Sequence, residues 1–283
     1  MTTLGQLQAT LPLDPLENRI LLCHALGLNR VGLITQSERA LTPAECAAVA
    51  ALVARRQQGE PIAYIVGKRE FYGLDFAVGP AVLIPRPDTE LLVELALERL
   101  PPGACMLDMG TGSGAIAVAV AHTRPDAQVW ALDVSDEALA LARANAATHG
   151  ARVQFVRSDW YDALAGRRFD LIVSNPPYIA AGDRHLAEGD LRFEPQGALT
   201  DDADGLSDLR TIAAGAASHL APGGWLLLEH GYDQALQVRA LLQDAGYEAV
   251  QSWRDLAGIE RASGARMAGA LLESSACAPP PSS

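Results

Sequence analysis

No apolar run in this 283-residue chain approaches the roughly 18 residues needed to cross a bilayer. The longest, Ala115 to Ala121, is short and alanine-rich. The opening residues, Met1-Thr2-Thr3-Leu4-Gly5-Gln6, lack the basic-then-apolar order of a secretory signal, so the cytoplasm is the expected compartment. Cysteine is scarce. Cys23, Cys46, Cys105 and Cys277 form no CxxC pair, which argues against a zinc site or a disulfide framework and for reduced thiols. Three of them lie in apolar stretches that suit small core residues. The histidines, His24, His122, His149, His185, His219 and His230, show no metal-ligand spacing, and no metal is expected. Basic residues are in deficit: 22 Lys and Arg against 34 Asp and Glu give a formal charge of −12. Such a surface repels phosphate backbones, so direct nucleic-acid binding is not expected and a basic protein is the better partner. No internal repeat is visible.

What is present fits a soluble globular protein: 49% of residues are hydrophobic and 20% charged. The length suggests about two domains. The first sixty or so residues read as helical. Asp14-Pro15-Leu16-Glu17 sets an N-cap, a first-turn proline and a capping-box glutamate in order, and Thr42-Pro43-Ala44-Glu45 repeats that grammar. Behind it Cys46, Val49, Ala50 and Val53 mark one face of a helix. Phe71 to Val78 then alternates around Gly73, and Ala81 to Ile84 runs apolar before Pro85, a pattern that predicts a hairpin or two short strands.

From about residue 86 strand-like runs alternate with helical ones. Strands are expected at Cys105–Asp108, Val129–Asp133, Val153–Val156, Asp170–Ser174, Trp225–Glu229, Tyr247–Trp253 and Gly269–Glu273, with helices such as Ser135–Thr148 between many of them. This predicts an α/β fold: a seven-stranded, largely parallel sheet with helices on both faces. The division reads as a helical domain over 1–68, a hairpin linker over 69–85, a main domain over 86–273 and a disordered tail over 274–283.

Asp108-Met109-Gly110-Thr111-Gly112-Ser113-Gly114 follows the first strand of that series and opens an apolar helix. Alternate glycines let the backbone turn sharply and bring a ligand close to the helix's free N–H groups. Asp133 ends the next strand, where a carboxylate can accept from both hydroxyls of a ribose. The loop predicts a nucleoside-bearing cofactor. By itself it leaves a methyltransferase and a dehydrogenase both open, because Gly110-x-Gly112-x-x-Ala115 also satisfies the dinucleotide pattern.

Ser174-Asn175-Pro176-Pro177-Tyr178 ends the fourth strand of the series. Two prolines cannot donate to a sheet and make the chain leave it stiffly. The tip then displays the Asn175 side chain and the Pro176 carbonyl, two acceptors suited to the two hydrogens of a planar NH2 group, and Tyr178 offers a flat face for stacking. An sp2 nitrogen is a poor nucleophile because its lone pair is delocalised. Gripping its hydrogens orients that lone pair toward an electrophilic methyl group and stabilises the positive charge that develops. Positioning of this kind is worth up to about 7–11 kcal/mol, and no general base is required.

These motifs resemble class I S-adenosylmethionine-dependent methyltransferases acting on planar nitrogens. More narrowly, the chain resembles the bacterial peptide-chain release factor glutamine methyltransferases (HemK/PrmC). The likeness is carried by Gly59-Glu60-Pro61-Ile62-Ala63-Tyr64-Ile65, Glu70-Phe71-Tyr72-Gly73-Leu74, Val82-Leu83-Ile84-Pro85-Arg86-Pro87-Asp88-Thr89-Glu90, Ser158-Asp159-Trp160 and Phe193-Glu194-Pro195. It spans residues 1 to about 273. It implies a Rossmann-like class I core behind a small N-terminal helical bundle that docks the substrate. The implied reaction is methyl transfer from S-adenosyl-L-methionine, with S-adenosyl-L-homocysteine as product, to the glutamine amide of the Gly-Gly-Gln motif in class 1 release factors. Carried over residue by residue, Gly110, Thr111, Gly112, Ser113 and Gly114 would line the methionine part of the cofactor and Asp133 its ribose. Trp160 would pack near the adenine, with Asp159 reaching its amino group. Asn175, Pro176, Pro177 and Tyr178 would grip the glutamine amide, Asn175 serving cofactor and substrate alike. The enzyme is expected to be monomeric.

The alternative is an N6-adenine methyltransferase acting on DNA or RNA, whose amino group would satisfy the same corner. A cofactor-binding module without catalysis is the reading from another class, and the intact corner beside an intact loop speaks against it. Pro85 and Arg86 read as a latch on the cofactor side. Glu229 and His230, at a strand end on the same side, are weaker candidates for support. Asp183, Glu188, Asp190, Glu194, Asp201, Asp202 and Asp204 face only Arg184 and Arg192 between residues 179 and 206. They read either as a solvated loop or as an acidic collar that speeds encounter with a basic partner.

Overall fold

The computed structural model describes residues 2–269. Its first part is helical: α1 (Leu4–Thr10), α2 (Pro15–Leu26), α3 (Arg30–Thr35), α4 (Pro43–Gln57) and the short α5 (Ile62–Val66). Leu4, Leu21, Leu22, Leu33, Val49, Val53 and Ile65 close a core of their own between them. Thr42 and Glu45 form the expected reciprocal cap at the start of α4. At α2 only Asp14 caps, accepting from the Leu16 N–H, while Glu17 instead pairs with Arg56 of α4. Ala50 lies exposed rather than on the buried face of α4. Cys23, Cys46 and Cys105 are half-buried at the edges of the cores rather than inside them.

A two-stranded hairpin follows, β1 (Lys68–Phe71) against β2 (Leu74–Ala77). Its turn residues Tyr72 and Gly73 have φ of 51° and 76°, the left-handed pair whose twist suits adjoining antiparallel strands. Ala81 to Ile84 is irregular rather than a strand. It nevertheless buries Val82 and Ile84, and the Val82 carbonyl accepts from the Tyr64 hydroxyl at 2.6 Å.

After a single 3-10 turn, Pro87–Thr89, the rest alternates: α6 (Glu90–Arg99), β3 (Cys105–Met109), α7 (Ala115–Thr123), β4 (Gln128–Asp133), α8 (Asp136–Thr148), β5 (Val153–Arg157) and β6 (Phe169–Ser174), then α9 (Ser207–His219), β7 (Leu220–Glu229), α10 (Ala235–Asp244), β8 (Glu248–Arg254) and β9 (Glu260–Arg266). The seven strands order β5-β4-β3-β6-β7-β9-β8, with β9 antiparallel to both of its neighbours. This is the expected doubly wound core. Successive residues of the central strands face opposite layers: Leu171 and Val173 join the core under α6 and α7, and Ile172 the one under α9 and α10. The order reverses between β3 and β6, and a crevice opens beyond their carboxyl ends.

The final strand corrects the sequence reading. It is Glu260–Arg266, whereas Gly269–Glu273 lies outside the described residues apart from its first, as do the tail over 274–283 and Cys277. Small residues hide that strand. A Cβ on Gly264 would sit 2.5 Å from the Leu226 carbonyl oxygen and 2.7 Å from Leu227, so close packing selects residues with no apolar signature. Among the described residues no helix is long and apolar enough to cross a membrane.

Candidate active site

A cavity of about 500 Å³ occupies the crevice. Beneath it, β3 delivers Asp108, whose Oδ2 accepts from the Thr111 hydroxyl at 2.6 Å and from the Ala117 N–H in the first turn of α7 at 3.2 Å. One buried carboxylate thus holds both the glycine loop and the helix start. Burial pushes its pKa up to about 7 against those two hydrogen bonds, with Asp133 nearby adding to the rise. Its Oδ1 has no partner among the described residues.

Gly112 has φ of 55°, and a Cβ there would enter open space. Its N–H donates to Asp133 Oδ2 at 2.9 Å, while the Ser135 N–H donates to Oδ1 at 2.9 Å. Each Asp133 oxygen therefore spends one lone pair on the main chain and keeps another for a ligand hydroxyl. Gly110, Thr111, Gly112, Ser113 and Asp133 line the cavity together with Asp159 and Trp160. Gly114 does not; it caps α7 and lies so close to Ala142 of α8 that a Cβ would stand 3.1 Å from that side chain. Its smallness serves helix packing.

Trp160 carries a left-handed backbone, φ 38°, rare for a bulky residue. Ser158 over-determines it, donating from Oγ to the Trp160 carbonyl at 2.9 Å and accepting from the Ala163 N–H at 3.0 Å. Asp208 on α9 lines the same cavity, a carboxylate that burial first, then Asp201, holds above its usual pKa. Asp208 was not singled out from sequence, because it stands at an ordinary helix start.

Asn175 and Pro177 also line the cavity, so the loop after β3 and the corner after β6 share one space. Asn175 Nδ2 donates to Thr89 Oγ1 at 3.2 Å. Pro176 is buried. Tyr178 is not part of the wall; its ring packs on the α9–α10 side and its hydroxyl donates to Glu229 Oε1 at 3.4 Å. Glu229 is buried and raised to about 7, chiefly by that burial. The neighbouring His230 is a buried bridge from the Gly231 carbonyl to the Ser263 hydroxyl.

Arg86 is a latch. It pairs with Glu194, whose other oxygen accepts from the Ile84 N–H at 2.9 Å. This clips Pro85 and Arg86 to Pro195, Gly197 and Ala198, all of them cavity wall. Glu194 is therefore no part of an exposed collar. Asp190 pairs with Arg56 of α4, Asp204 with Arg210, and Asp201 caps its own loop through the Ala203, Gly205 and Ser207 N–H groups. Asp183 is bound to His185. Most of the presumed collar is spent on internal partners.

Residues 5–67 match the PrmC N-terminal domain, and residues 87–191 the methyltransferase small domain. The release factor glutamine methyltransferase of Burkholderia pseudomallei is 58% identical over 276 residues, covering 94% of this chain and 97% of that one. Its namesake from Bordetella pertussis is 56% identical over 267 residues, covering 93% and 99%. Among solved structures, a methyltransferase from Pyrococcus furiosus shares the fold with a TM-score of 0.54 at 23% identity, over 76% of this chain and 97% of that one.

Proposed function

The chain belongs to the release factor glutamine methyltransferase family, and on that premise we propose that it methylates N5, the side-chain amide nitrogen, of the glutamine in the Gly-Gly-Gln motif of class 1 release factors. It is an S-adenosylmethionine-dependent enzyme. The single observation that carries the finer reading is that Asn175 opens onto the same cavity as Gly112 and Asp133.

The cavity suits the cofactor: its volume of about 500 Å³ lies within the ordinary range for such sites, and the spare lone pairs of Asp133 match a ribose diol. When bound, S-adenosylmethionine supplies a methyl group made electrophilic by its sulfonium. Gly110 to Ser113 would line its methionine part, Asp133 would hold its ribose, Asp159 would accept from its adenine amino group and Trp160 would pack beside the ring. Asn175 Oδ1 and the Pro176 carbonyl each accept one hydrogen of the glutamine amide. Held so, the substrate nitrogen would be oriented by the two acceptors, which would also stabilise the positive charge that grows on it. Pro177 walls the site, while Tyr178 stands outside the wall with its hydroxyl on Glu229. Leu16, Val31 and Ile34, exposed on α2 and α3, form the apolar part of the surface that docks the release factor. The enzyme works as a monomer in the cytoplasm.

An adenine amino group would also satisfy the two acceptors, but the curated relatives favour glutamine. The test is to incubate the enzyme and cofactor with a release factor, with its Gly-Gly-Gln glutamine variant, and with an adenine-containing oligonucleotide. Mass spectrometry should find one added methyl on that glutamine alone. Methylated oligonucleotide with an untouched release factor would overturn the reading.

A further inference from the structure

We propose that Gln234 is a positioning residue for methyl transfer: its side-chain amide holds the exit of the Asn-Pro-Pro-Tyr corner and, through it, the direction of the Pro176 carbonyl. The proposal rests on the amide-acceptor reading above. A proline ring fixes φ but carries no N–H. Pro176 and Pro177 therefore cannot anchor themselves by donating, and the direction of the Pro176 carbonyl depends on how the corner is held on either side.

The near side is held by the sheet. Ser174 is buried between β3 and β7, and its hydroxyl donates to the Met109 carbonyl at 2.7 Å. The far side is held by Gln234, which stands just before α10. Its Nε2 donates to the Tyr178 carbonyl at 3.0 Å and to the Gly205 carbonyl at 3.1 Å, and its Oε1 accepts from the Gly231 N–H at 2.8 Å. Both amide hydrogens and one oxygen lone pair are thus spent on main-chain groups from three separate segments. A main-chain carbonyl only accepts and a main-chain N–H only donates, so this amide has one orientation.

The three segments are shaped to meet. Gly205 has φ of 79°, and a Cβ there would stand 2.6 Å from the Tyr178 carbonyl oxygen and 2.9 Å from Gln234 Nε2. A Cβ on Gly231 would come within 3.0 Å of Gln234 Oε1. Asp201 presets the loop around Gly205 through its three N–H contacts. The chain beyond Tyr178 is stitched to that same loop: the Ile179 N–H donates to the Leu199 carbonyl at 3.0 Å, and the Ala181 N–H to the Ala203 carbonyl at 2.8 Å. Gln234 does not line the cavity, so it acts on the acceptors through the chain.

The experiment measures kcat and cofactor KM on a release factor for the wild type, Gln234→Leu, Gln234→Glu and Gly205→Ala. Calorimetry with S-adenosylhomocysteine gives cofactor-site affinity and the active fraction to which rates are normalised. Gln234→Leu keeps bulk and removes all three hydrogen bonds. Its kcat should fall by about 10–100-fold, the scale of a small misplacement, with cofactor KM and affinity within about twofold. Gln234→Glu keeps the length and the acceptor for Gly231 but sets an oxygen against the Tyr178 and Gly205 carbonyls, so it should lose at least as much. Gly205→Ala pushes the same carbonyl from the other side and should show the same split. Wild-type kcat in Gln234→Leu or Gln234→Glu overturns the proposal, whatever stability is lost, and so does a kcat loss matched by an equal loss of cofactor affinity. Should Gln234→Leu fail to fold, Gln234→Glu decides. Failure of the functional reading shows separately, as a wild type that leaves release factors unmethylated.

Discussion

At the cofactor end of the cavity the main chain does the holding, whereas at the amide end side chains from distant segments do it. Gly112 and Ser135 fix Asp133 through backbone N–H groups, all within a short stretch of β3, α7 and β4. Asn175 is instead held by Thr89, 86 residues away. Each end also rests on one buried carboxylate, Asp108 or Glu229, each raised to about 7 by burial. Asp108 clamps backbone and hydroxyl groups under a loop, while Glu229 takes the Tyr178 hydroxyl. The difference predicts that binding and turnover are damaged separately.

The largest effect should come from the amide end. Asn175→Ala is expected to lower methyl transfer by about 10²–10³-fold, as loss of one positioned polar group does, with S-adenosylhomocysteine affinity nearly kept and the fold intact. Near-normal turnover would remove Asn175 from the mechanism. At the other end, Gly112→Val forces a β-branched residue into a left-handed turn and fills the cavity. Cofactor affinity should weaken by about 10–100-fold in calorimetry, and an unchanged affinity would erase the contrast.

The third effect is on stability. The folded pKa of Asp108, about 7, lies above its ordinary value of 3.8. The stability this group contributes is thus fully present below pH 3.8 and is lost as pH rises through about 7. Asp108→Asn should remove that slope and be relatively more stable at alkaline pH, on the order of 2 kcal/mol, as read by urea unfolding across pH. A slope unchanged in the variant would place the titration elsewhere. The smallest effect is expected at Arg56→Ala, which severs the half-exposed pairs to Glu17 and Asp190 and should cost at most about 1 kcal/mol of unfolding free energy.

The same contrast explains what could be read from the chain alone. The glycine loop, Asp133 and Asn-Pro-Pro-Tyr are contiguous motifs, so the sheet and the cofactor were legible, and with them the meeting of Asn175 and Pro177 with the glycine loop at one cavity. Thr89 looked like one more residue at a helix start, and its meaning lies in partners brought up by the sheet. Glu194 read as one acid among seven between residues 179 and 206, although it is buried and clipped to a residue 110 positions earlier. Local charge patterning cannot show such a contact. Glu260–Arg266 was missed because its selection is for small volume against Trp253 and Leu227, which leaves no alternation to detect.

Asn145 carries a consequence for how the two parts of the enzyme communicate. Its amide pairs with Ala77 of the hairpin in both directions, at 2.8 and 3.0 Å, and donates to the Ser113 carbonyl at 2.8 Å. His149 reaches the Asp75 carbonyl, and Glu90 receives the Tyr72 N–H. The connector is thus riveted to the catalytic half at Tyr72, Asp75 and Ala77. The helical part is tied on as well, through the Tyr64 hydroxyl to the Val82 carbonyl and Arg56 to Asp190, so a displacement of α5 carries straight to the segment that walls the cavity.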